Sequence, residues 1–314
     1  MVIETKDLKD RLPLIRGRYL FDVPLAPVTW FRVGGTAQVT FKPADLEDLC
    51  FFLKNKPKDL PLHIIGVGSN LLVRDTGVDG VVIRLGQGFT NIHVDHETID
   101  VGAAALDRNV AMLACEQSIA GLEFLCGIPG TIGGAVRMNA GAYGTDISQV
   151  LDYATVIDSK GAIHHLTPHD LGLSYRHCDI PKQWIFVGAR FKGRSGNSKE
   201  IHEKITALLT ERERTQPVKS RTGGSTFANP DGMKAWELIE KAGCRGLQVG
   251  GAMMSELHCN FMINTGDATA TDLETLGEEV RQKVLAITGV DLRWEIERIG
   301  RNLNVEMKLG ERAA

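Results

Sequence analysis

Two glycine-rich segments are the first candidates for a chemical role. Residues 66–70 have the sequence GVGSN and follow an apolar, strand-like run. A phosphate-binding turn commonly lies at such a place, but the third glycine of the dinucleotide fingerprint is replaced by Leu71, and the phosphate-loop pattern GxxxxGK(S/T) does not occur. Taken alone, the segment is typical of a tight strand-ending turn or of a nest of backbone N–H groups that binds an anion.

The second segment extends from Cys126 to Gly144 and has the sequence CGIPGTIGGAVRMNAGAYG. It is rich in glycine and alanine and nearly free of large side chains. A simple connector does not need this length, and long loops in compact domains are usually functional. Because small residues let backbone N–H groups approach a pyrophosphate or a flat ring, this segment favours a ligand site.

Three polar side chains lie in contexts suited to catalysis. Arg176 follows Tyr175, Ser225 follows a pair of glycines, and Glu295 lies between Trp294 and Ile296. Taken one at a time, they are more typical of a surface arginine, a turn serine and a solvent-facing strand glutamate. No histidine lies in a Ser/His/Asp or Cys/His arrangement, which argues against a hydrolase.

Composition excludes several classes of protein. The 314 residues carry 36 Lys+Arg against 39 Asp+Glu, so a net charge of −3 does not indicate a nucleic-acid or anionic-membrane partner. No apolar run approaches the roughly 20 residues that cross a bilayer, and the charged N-terminal stretch is unlike a secretory signal. The six cysteines include no CxxC pair, and no zinc spacing occurs. We therefore expect a cytoplasmic protein with reduced cysteines and no metal.

The elements that would position these residues alternate between helix and strand. An amphipathic helix is predicted from Ala44, and strands are predicted from Leu62 and Gly80. A hairpin over residues 91–105 and a helix from Asp107 then lead into the second glycine-rich segment.

Three strand-like runs follow that segment and end at a candidate linker, residues 193–197. The next helix is predicted over residues 198–214 with Asn197 at its cap, and Thr271 with Glu274 predicts the capping box of a later helix. The final strand alternates from Leu292. These patterns predict an α+β chain in three parts, with residues 1–87, 88–196 and 197–314 as their bounds.

Six segments, taken in order, closely resemble the UDP-N-acetylenolpyruvoylglucosamine reductase family, flavoenzymes that complete UDP-N-acetylmuramate in bacterial peptidoglycan synthesis. They are GVGSN, GLEFLCGIPGTIGGAVRMNAGAYG, SYR, GGSTFANP, GLQVGGAMMSELHCNFMINTGDATATD and WEIERIG. The resemblance implies a two-subdomain FAD-binding fold of the vanillyl-alcohol-oxidase (PCMH) type, followed by a C-terminal α+β substrate-binding domain. Such a fold holds the FAD pyrophosphate without a GxGxxG helix, which agrees with Leu71.

The resemblance also implies which residues hold the ligands. The FAD contacts correspond to Gly66, Gly68, Ser69, Asn70, Gly121, Ile128, Pro129, Gly130, Gly133, Gly134, Asn139, Gly141 and Gly144. The nucleotide-sugar contacts correspond to Tyr175, Arg212, Arg214, Lys219, Asn229 and Gln248. The catalytic group is similar to Arg176, Ser225 and Glu295.

In the activity that the resemblance implies, NADPH reduces FAD and leaves, and the enolpyruvyl nucleotide sugar then enters the same cleft and accepts a hydride. Arg176 stabilises the negative charge that develops, a protonated Glu295 hydrogen-bonds beside it, and Ser225 donates the proton. We expect a monomer that takes this small-molecule substrate and has no nucleic-acid or membrane partner.

Three features depart from the family pattern. The stretch between Phe191 and Arg221 leaves little room for the tyrosine-bearing insertion of the larger type, so the chain resembles the shorter type and the residue that clamps the uridine stays open. Many members have lysine at the position of Ala228, and a small apolar residue is common at the position of Cys259.

Two other functions stay open at this point. The chain could be a different flavoprotein on the same fold, such as an alcohol or hydroxy-acid oxidase, in which Ser225 and Glu295 would lack a role. It could also be a non-catalytic regulator that binds a nucleotide sugar, and such a protein would lack a flavin spectrum.

Overall fold

The first unit of the fold is a mixed four-stranded sheet that carries a helix. A computed structural model describes residues 5–301 of the chain. The elements of this unit are α1 (Thr5–Arg11), β1 (Arg18–Pro24), β2 (Thr36–Lys42), α2 (Leu46–Asn55), β3 (Leu62–Ile64), β4 (Leu71–Val73) and β5 (Val78–Ile83). The sheet order is β1-β2-β5-β3, with β1 antiparallel to β2 and the other pairs parallel. The carboxyl ends of β2, β5 and β3 therefore share one edge, where residues 66–70 begin.

Helix α2 begins two residues later than the predicted start at Ala44. The side chain of Asp45 accepts a hydrogen bond of 3.0 Å from the backbone N–H of Asp48, which caps the helix. Its apolar face, which includes Leu49 and Phe52, is buried against the sheet. This burial fixes the helix against the sheet.

The second unit is a five-stranded antiparallel sheet with helices packed on it. Its elements are β6 (Ile92–Asp95), β7 (Thr98–Gly102), α3 (Asp107–Glu116), β8 (Ile119–Ala120), α4 (Ile132–Arg137), β9 (Gly141–Ala142), β10 (Thr145–Asp146), β11 (Leu151–Ile157), β12 (Ile163–Leu166), β13 (Ile185–Lys192), β14 (Arg194–Ser195) and α5 (Ser198–Thr215). The sheet order is β12-β11-β13-β7-β6. The predicted hairpin, the helix from Asp107 and the three later strands are confirmed.

Two expectations for this unit need correction. The glycine-rich segment contains helix α4, because Gly133 and Ala135 let a short helix lie close to β7 and β13. The predicted linker at 193–197 contains β14, which pairs with β8. Helix α5 has Asn197 at its cap as predicted, and its Ile201 packs into the core of the second unit. The part boundaries near residues 87 and 196 stay predictions.

The third unit is a four-stranded antiparallel sheet covered by two helices. Its elements are β15 (Arg221–Ser225), α6 (Ala235–Lys241), β16 (Gln248–Val249), β17 (Ala252–Met254), β18 (Phe261–Asn264), α7 (Ala270–Thr288) and β19 (Glu297–Ile299). The sheet order is β15-β18-β17-β16. Strand β19 leaves this unit and pairs in parallel with β4 of the first unit. Residues 297–299 therefore lie next to the strand that follows the glycine turn.

The capping box of α7 lies two residues before the predicted one. Thr269 and Asp272 form the reciprocal box, with Thr269 as the N-cap. The hydroxyl of Thr271 instead donates to Asp75, and Glu274 binds Arg74 in two hydrogen bonds. Thr271 and Glu274, which were predicted to form the capping box, therefore connect α7 to the first unit.

Candidate active site

The two glycine-rich segments face each other across the first and second units. A Cβ added to Gly66 would lie 2.7 Å from Oγ1 of Thr131, and one added to Gly130 would lie 3.8 Å from Oγ of Ser69. Gly68 has a φ of +68°, and a Cβ there would lie 2.5 Å from the carbonyl oxygen of Val28. The segments thus form a cradle that the glycines keep free of bulky side chains and that the hydroxyls of Thr131 and Ser69 border, which fits a dinucleotide pyrophosphate.

Several other predicted cofactor residues lie around this cradle. Ile128 and Pro129 precede Gly130 and are partly exposed. Gly134 is exposed, with its Cβ position 3.8 Å from Oγ1 of Thr131, whereas Gly133 is packed on Ala103. The line of small residues therefore has one face toward the cradle and one face toward the sheet.

The remaining predicted cofactor residues serve the local backbone. Gly121 and Gly144 have positive φ values with open space beside them, and Gly141 is packed against Asp146. Asn139 is buried, and its side-chain amide donates to the carbonyl of Ser174 and accepts from the N–H of Ser148, each at 2.9 Å. The side chain of Asn139 is thereby committed to holding the turn that carries Arg176.

Arg176 and Glu295 form an ion pair, although 119 positions separate them. Nε of Arg176 donates to Oε1 of Glu295 at 2.8 Å, and Nη2 donates to the carbonyl of Gly141 at 2.9 Å. Arg176 has a φ of +52° in the tight turn that a bridge between Ser174 and His177 closes. Such a conformation costs an L-residue about 1–2 kcal/mol, so the guanidinium is held there by its contacts.

Glu295 is not on a solvent-facing strand, because long-range contacts bury it. Its backbone N–H donates to the carbonyl of Thr226 at 2.9 Å, and its own carbonyl accepts from Nδ2 of Asn70 at 3.0 Å. Only 14% of the side chain is exposed. Burial raises the pKa of Glu295, and the charge of Arg176 opposes that rise. The glycine turn and the catalytic candidates thus meet at this residue.

Ser225 lies at the end of β15, one residue before the Thr226 carbonyl that binds Glu295. The two glycines before it form a bulge: a Cβ on Gly223 would strike the ring of Phe31, and Gly224 has a φ of +80°. Ser225 is partly exposed, and its hydroxyl has no hydrogen-bond partner among residues 5–301. The structure therefore places Ser225 beside Glu295 with an unused donor.

Two of the predicted substrate residues meet next to this group. The Tyr175 hydroxyl accepts from the backbone N–H of Asn229 at 3.3 Å, and the guanidinium of Arg176 lies 5.1 Å from the Tyr175 ring centroid. These contacts join the turn of the second unit to the third unit.

The other predicted substrate residues differ in placement. Arg212 is half-buried. Burial lowers the pKa of its guanidinium, and the nearby Tyr143 and Cys126 of the second glycine-rich segment oppose this by raising it. Lys219 is exposed, as is Arg214, which pairs with Glu211 on the outer surface of α5. Gln248 is on β16, the strand furthest from β15, where it contacts Met253. Only Arg212 therefore faces the second glycine-rich segment.

Sequence reasoning missed Tyr143 as a fixed part of the second segment. Its φ is +54°, its hydroxyl donates to the carbonyl of Leu208 at 2.9 Å, and nearly half of the side chain is exposed. The sequence signal that could have indicated this role is a large aromatic side chain in a segment made mostly of small residues. Within the described range, no cluster of three His, Cys, Asp or Glu side chains could hold a metal ion.

Comparisons with known proteins agree with this geometry. Residues 37–167 match a family model described as an FAD binding domain, and residues 216–299 match one described as the UDP-N-acetylenolpyruvoylglucosamine reductase C-terminal domain. The UDP-N-acetylenolpyruvoylglucosamine reductase of Parvibaculum lavamentivorans is 57% identical over 296 residues, 94% of this chain and 96% of the relative. The chain belongs to the UDP-N-acetylenolpyruvoylglucosamine reductase family.

Other members of the reductase family show the same extent of similarity. The reductase of Rhodospirillum rubrum is 57% identical over 302 residues, 95% of each chain. The crystal structure of the reductase from Thermus caldophilus has a TM-score of 0.79 and 33% identity, covering 91% of this chain and all of that one. The prediction of an α+β FAD-binding fold with a further C-terminal domain is confirmed, and FAD is the cofactor. No helix in residues 5–301 is long and apolar enough to span a membrane.

Proposed function

We propose that this chain reduces the enolpyruvyl ether of UDP-N-acetylglucosamine to UDP-N-acetylmuramate for peptidoglycan synthesis, with NADPH as the reductant. The observation that carries the proposal is the contact of 2.8 Å between Arg176 and Glu295, beside the unpartnered hydroxyl of Ser225. Asn70 connects this group to the glycine turn through Glu295. In an oxidase on the same fold, Ser225 and Glu295 would lack a role.

The cofactor fits the cradle between the two glycine-rich segments. We infer that residues 66–70 and 128–134 hold the FAD pyrophosphate through backbone N–H groups, and that Gly121, Asn139, Gly141 and Gly144 shape the surrounding backbone. When bound, FAD supplies the hydride that is added to the enolpyruvyl methylene carbon.

The chain's own residues would manage the charge and the proton. Within the protein, Nε of Arg176 donates to Glu295, Nη2 to the Gly141 carbonyl and Nη1, at 3.5 Å, to the Asn139 carbonyl. Three of the five guanidinium N–H groups are thus used, which leaves one on each Nη for the substrate carboxylate. Glu295 fixes the orientation of that guanidinium by accepting from Nε, and burial raises the pKa of Glu295 while the charge of Arg176 opposes that rise. Ser225 gives its proton to the carbon next to the carboxylate and regains one from water, so one hydride and one proton are added in total.

For the nucleotide part of the substrate, the geometry supports some of the predicted residues more than others. Tyr175 and Asn229 adjoin Arg176, and Arg212 is a half-buried cation without a carboxylate partner in the described part of the chain. We infer that these three contact the sugar and the diphosphate. Lys219 is exposed and could reach the diphosphate. Arg214 is paired with Glu211, and Gln248 is on the strand furthest from β15, so the geometry gives less support to substrate contacts by these two residues.

The flavin identity gives the first test. We expect purified protein to be yellow and to release FAD, and no FMN, on denaturation, because the cradle suits a pyrophosphate that FMN lacks. Chromatography of the released flavin against both standards measures this. Anaerobic NADPH should then bleach the flavin band, and the enolpyruvyl nucleotide sugar should restore it. FMN in the extract, or a colourless protein that reconstitution with FAD leaves colourless, would contradict the proposal.

The location and the assembly state are part of the same proposal. We infer a monomer that acts in the cytoplasm, supported by six cysteines that are all free and by the near balance of charge. Sedimentation velocity at increasing concentrations should give one species of the monomer's mass. A concentration-dependent larger species would contradict the monomer.

A further inference from the structure

Asp107 is a buried carboxyl group without a partner. It is 0% exposed, and neither Oδ1 nor Oδ2 has a hydrogen-bond partner among the described residues. Asp48, the matching buried aspartate of the first unit, accepts from the backbone N–H groups of Arg16, Gly17 and Ala44. Because an ionised carboxyl without hydrogen bonds is costly to bury, Asp107 requires an explanation that Asp48 does not.

The position of Asp107 connects it to the FAD cradle. Its backbone N–H, at the start of α3, donates to the carbonyl of Gly130 at 3.2 Å. Its Oδ2 lies 2.9 Å from the place where a Cβ of Gly130 would be, and the neighbouring residues Leu106 and Thr131 form a bridge. Oγ of Ser69, from the first glycine-rich segment, lies 3.8 Å from that same position. The carboxyl is therefore buried directly beside the Gly130 turn, close to the place where the two glycine-rich segments meet.

The surroundings of Asp107 favour its neutral form. Burial raises its pKa well above the usual range, and the backbone of Gly130 opposes this to a smaller extent. No charged side chain among residues 5–301 contributes to that shift, and the adjacent Arg108 acts instead on the thiol of Cys126. An ionised Asp107 would place a negative charge beside the Gly130 turn, which we have proposed to hold the FAD pyrophosphate.

We propose that Asp107 is a positioning residue for FAD: its protonated carboxyl supports the Gly130 turn, and its ionisation weakens FAD binding. This inference rests on the proposed placement of FAD in the cradle. It predicts that the affinity for FAD falls as the pH rises, because proton loss adds a charge that repels the diphosphate.

Asp107→Asn tests the proposal, since the amide keeps the shape and cannot ionise. Apoprotein is titrated with FAD, and quenching of flavin fluorescence gives the Kd for FAD at each pH from about 6 to about 9. Ordinary aspartate and glutamate side chains are already ionised throughout this interval. We expect the affinity of the wild type for FAD to fall about tenfold across this range, which corresponds to a difference of about one unit between the pKa of Asp107 with and without bound FAD. The affinity of Asp107→Asn for FAD should stay constant. Asp48→Asn is the matched control and should keep the wild-type slope.

Two further measurements make the outcome decisive. The infrared difference spectrum of wild type minus Asp107→Asn should contain the carbonyl band of a protonated carboxyl, and that of wild type minus Asp48→Asn should not. Asp107→Ser provides a second neutral variant if the amide prevents folding. Parallel pH profiles of Kd in the wild type and the neutral variants would overturn the role of Asp107 and leave the reductase proposal intact. Wild-type protein that binds no FAD at any pH would overturn the proposed function itself.

Discussion

Replacing Ser225 by alanine is expected to slow the substrate-dependent half of the reaction by about 10²–10⁴-fold, the usual effect of losing a general acid. This corresponds to about 3–5 kcal/mol of transition-state stabilisation. Bleaching of the flavin by NADPH should proceed at nearly the wild-type rate, because Ser225 is proposed to act only on the substrate carbon. The hydroxyl has no partner among the described residues, so its removal leaves no protein group unsatisfied.

Stopped-flow absorbance at the flavin band measures both halves in one preparation of Ser225→Ala. Affinity for the nucleotide sugar should change little, because one hydroxyl is a small part of the contact with a large anion. Ser220→Ala is the control, since Ser220 is exposed in the turn before β15. Equal slowing of both halves would show instead that Ser225 positions FAD, and the proton donor would then have to be another group.

Replacing Arg176 by lysine is expected to lower kcat by about 10²–10³-fold, the effect of removing one preorganised donor to a developing negative charge. Lysine keeps the charge but not the planar fork that binds Glu295 and the Gly141 carbonyl together. FAD should stay bound, because the hydrogen bonds that Arg176 makes to the second glycine-rich segment go to two backbone carbonyls, those of Asn139 and Gly141. Steady-state kinetics and the flavin-to-protein absorbance ratio measure the two effects.

Arg190→Lys is a matched control for Arg176→Lys. Arg190 also pairs with a carboxylate, Asp100 at 2.7 Å, and also lies over a tyrosine ring, that of Tyr153 at 5.2 Å. It belongs to the sheet of the second unit, and its loss should leave kcat unchanged. A wild-type kcat in Arg176→Lys would remove Arg176 from the catalytic group.

Local patterns predicted the elements well where burial and capping agree. The helix from Asp107 is as predicted because its apolar residues recur with the helical period, although no side chain caps it. The cap at Asn197 is as predicted because the Asn197 side chain accepts from the N–H groups of Lys199 and Glu200. The capping box of α7 was misplaced because Thr269 with Asp272 and Thr271 with Glu274 have the same spacing. Asp75 and Arg74 resolve this ambiguity, and both are about 200 positions away in the sequence.

The site was predictable only through the family resemblance. Arg176, Ser225 and Glu295 each look ordinary in their own segments, and no periodicity indicates that they meet. Alternation along the last strand even predicted that Glu295 is exposed. That prediction was wrong because the hydrogen bonds to Asn70 and Thr226, which hold Glu295 in a buried position, come from distant parts of the sequence. Asp107 was missed for the same reason: a helix-starting aspartate is common, and only the structure shows that it has no partner.

The parallel pairing of β4 with β19 has a consequence for the order in which the newly made chain acquires its cofactor site. Strand β4 directly follows the glycine turn, and its partner lies 226 positions later. During synthesis the first two units can form their own cores while β4 waits for the last residues of the third unit. Since such distant pairings form late, the turn at residues 66–70 is expected to become rigid only after β19 has been synthesised and has paired with β4. We therefore expect a ribosome-bound fragment that lacks residues 297–299 to hold FAD weakly, and tight binding of the cofactor to follow the pairing of these two strands.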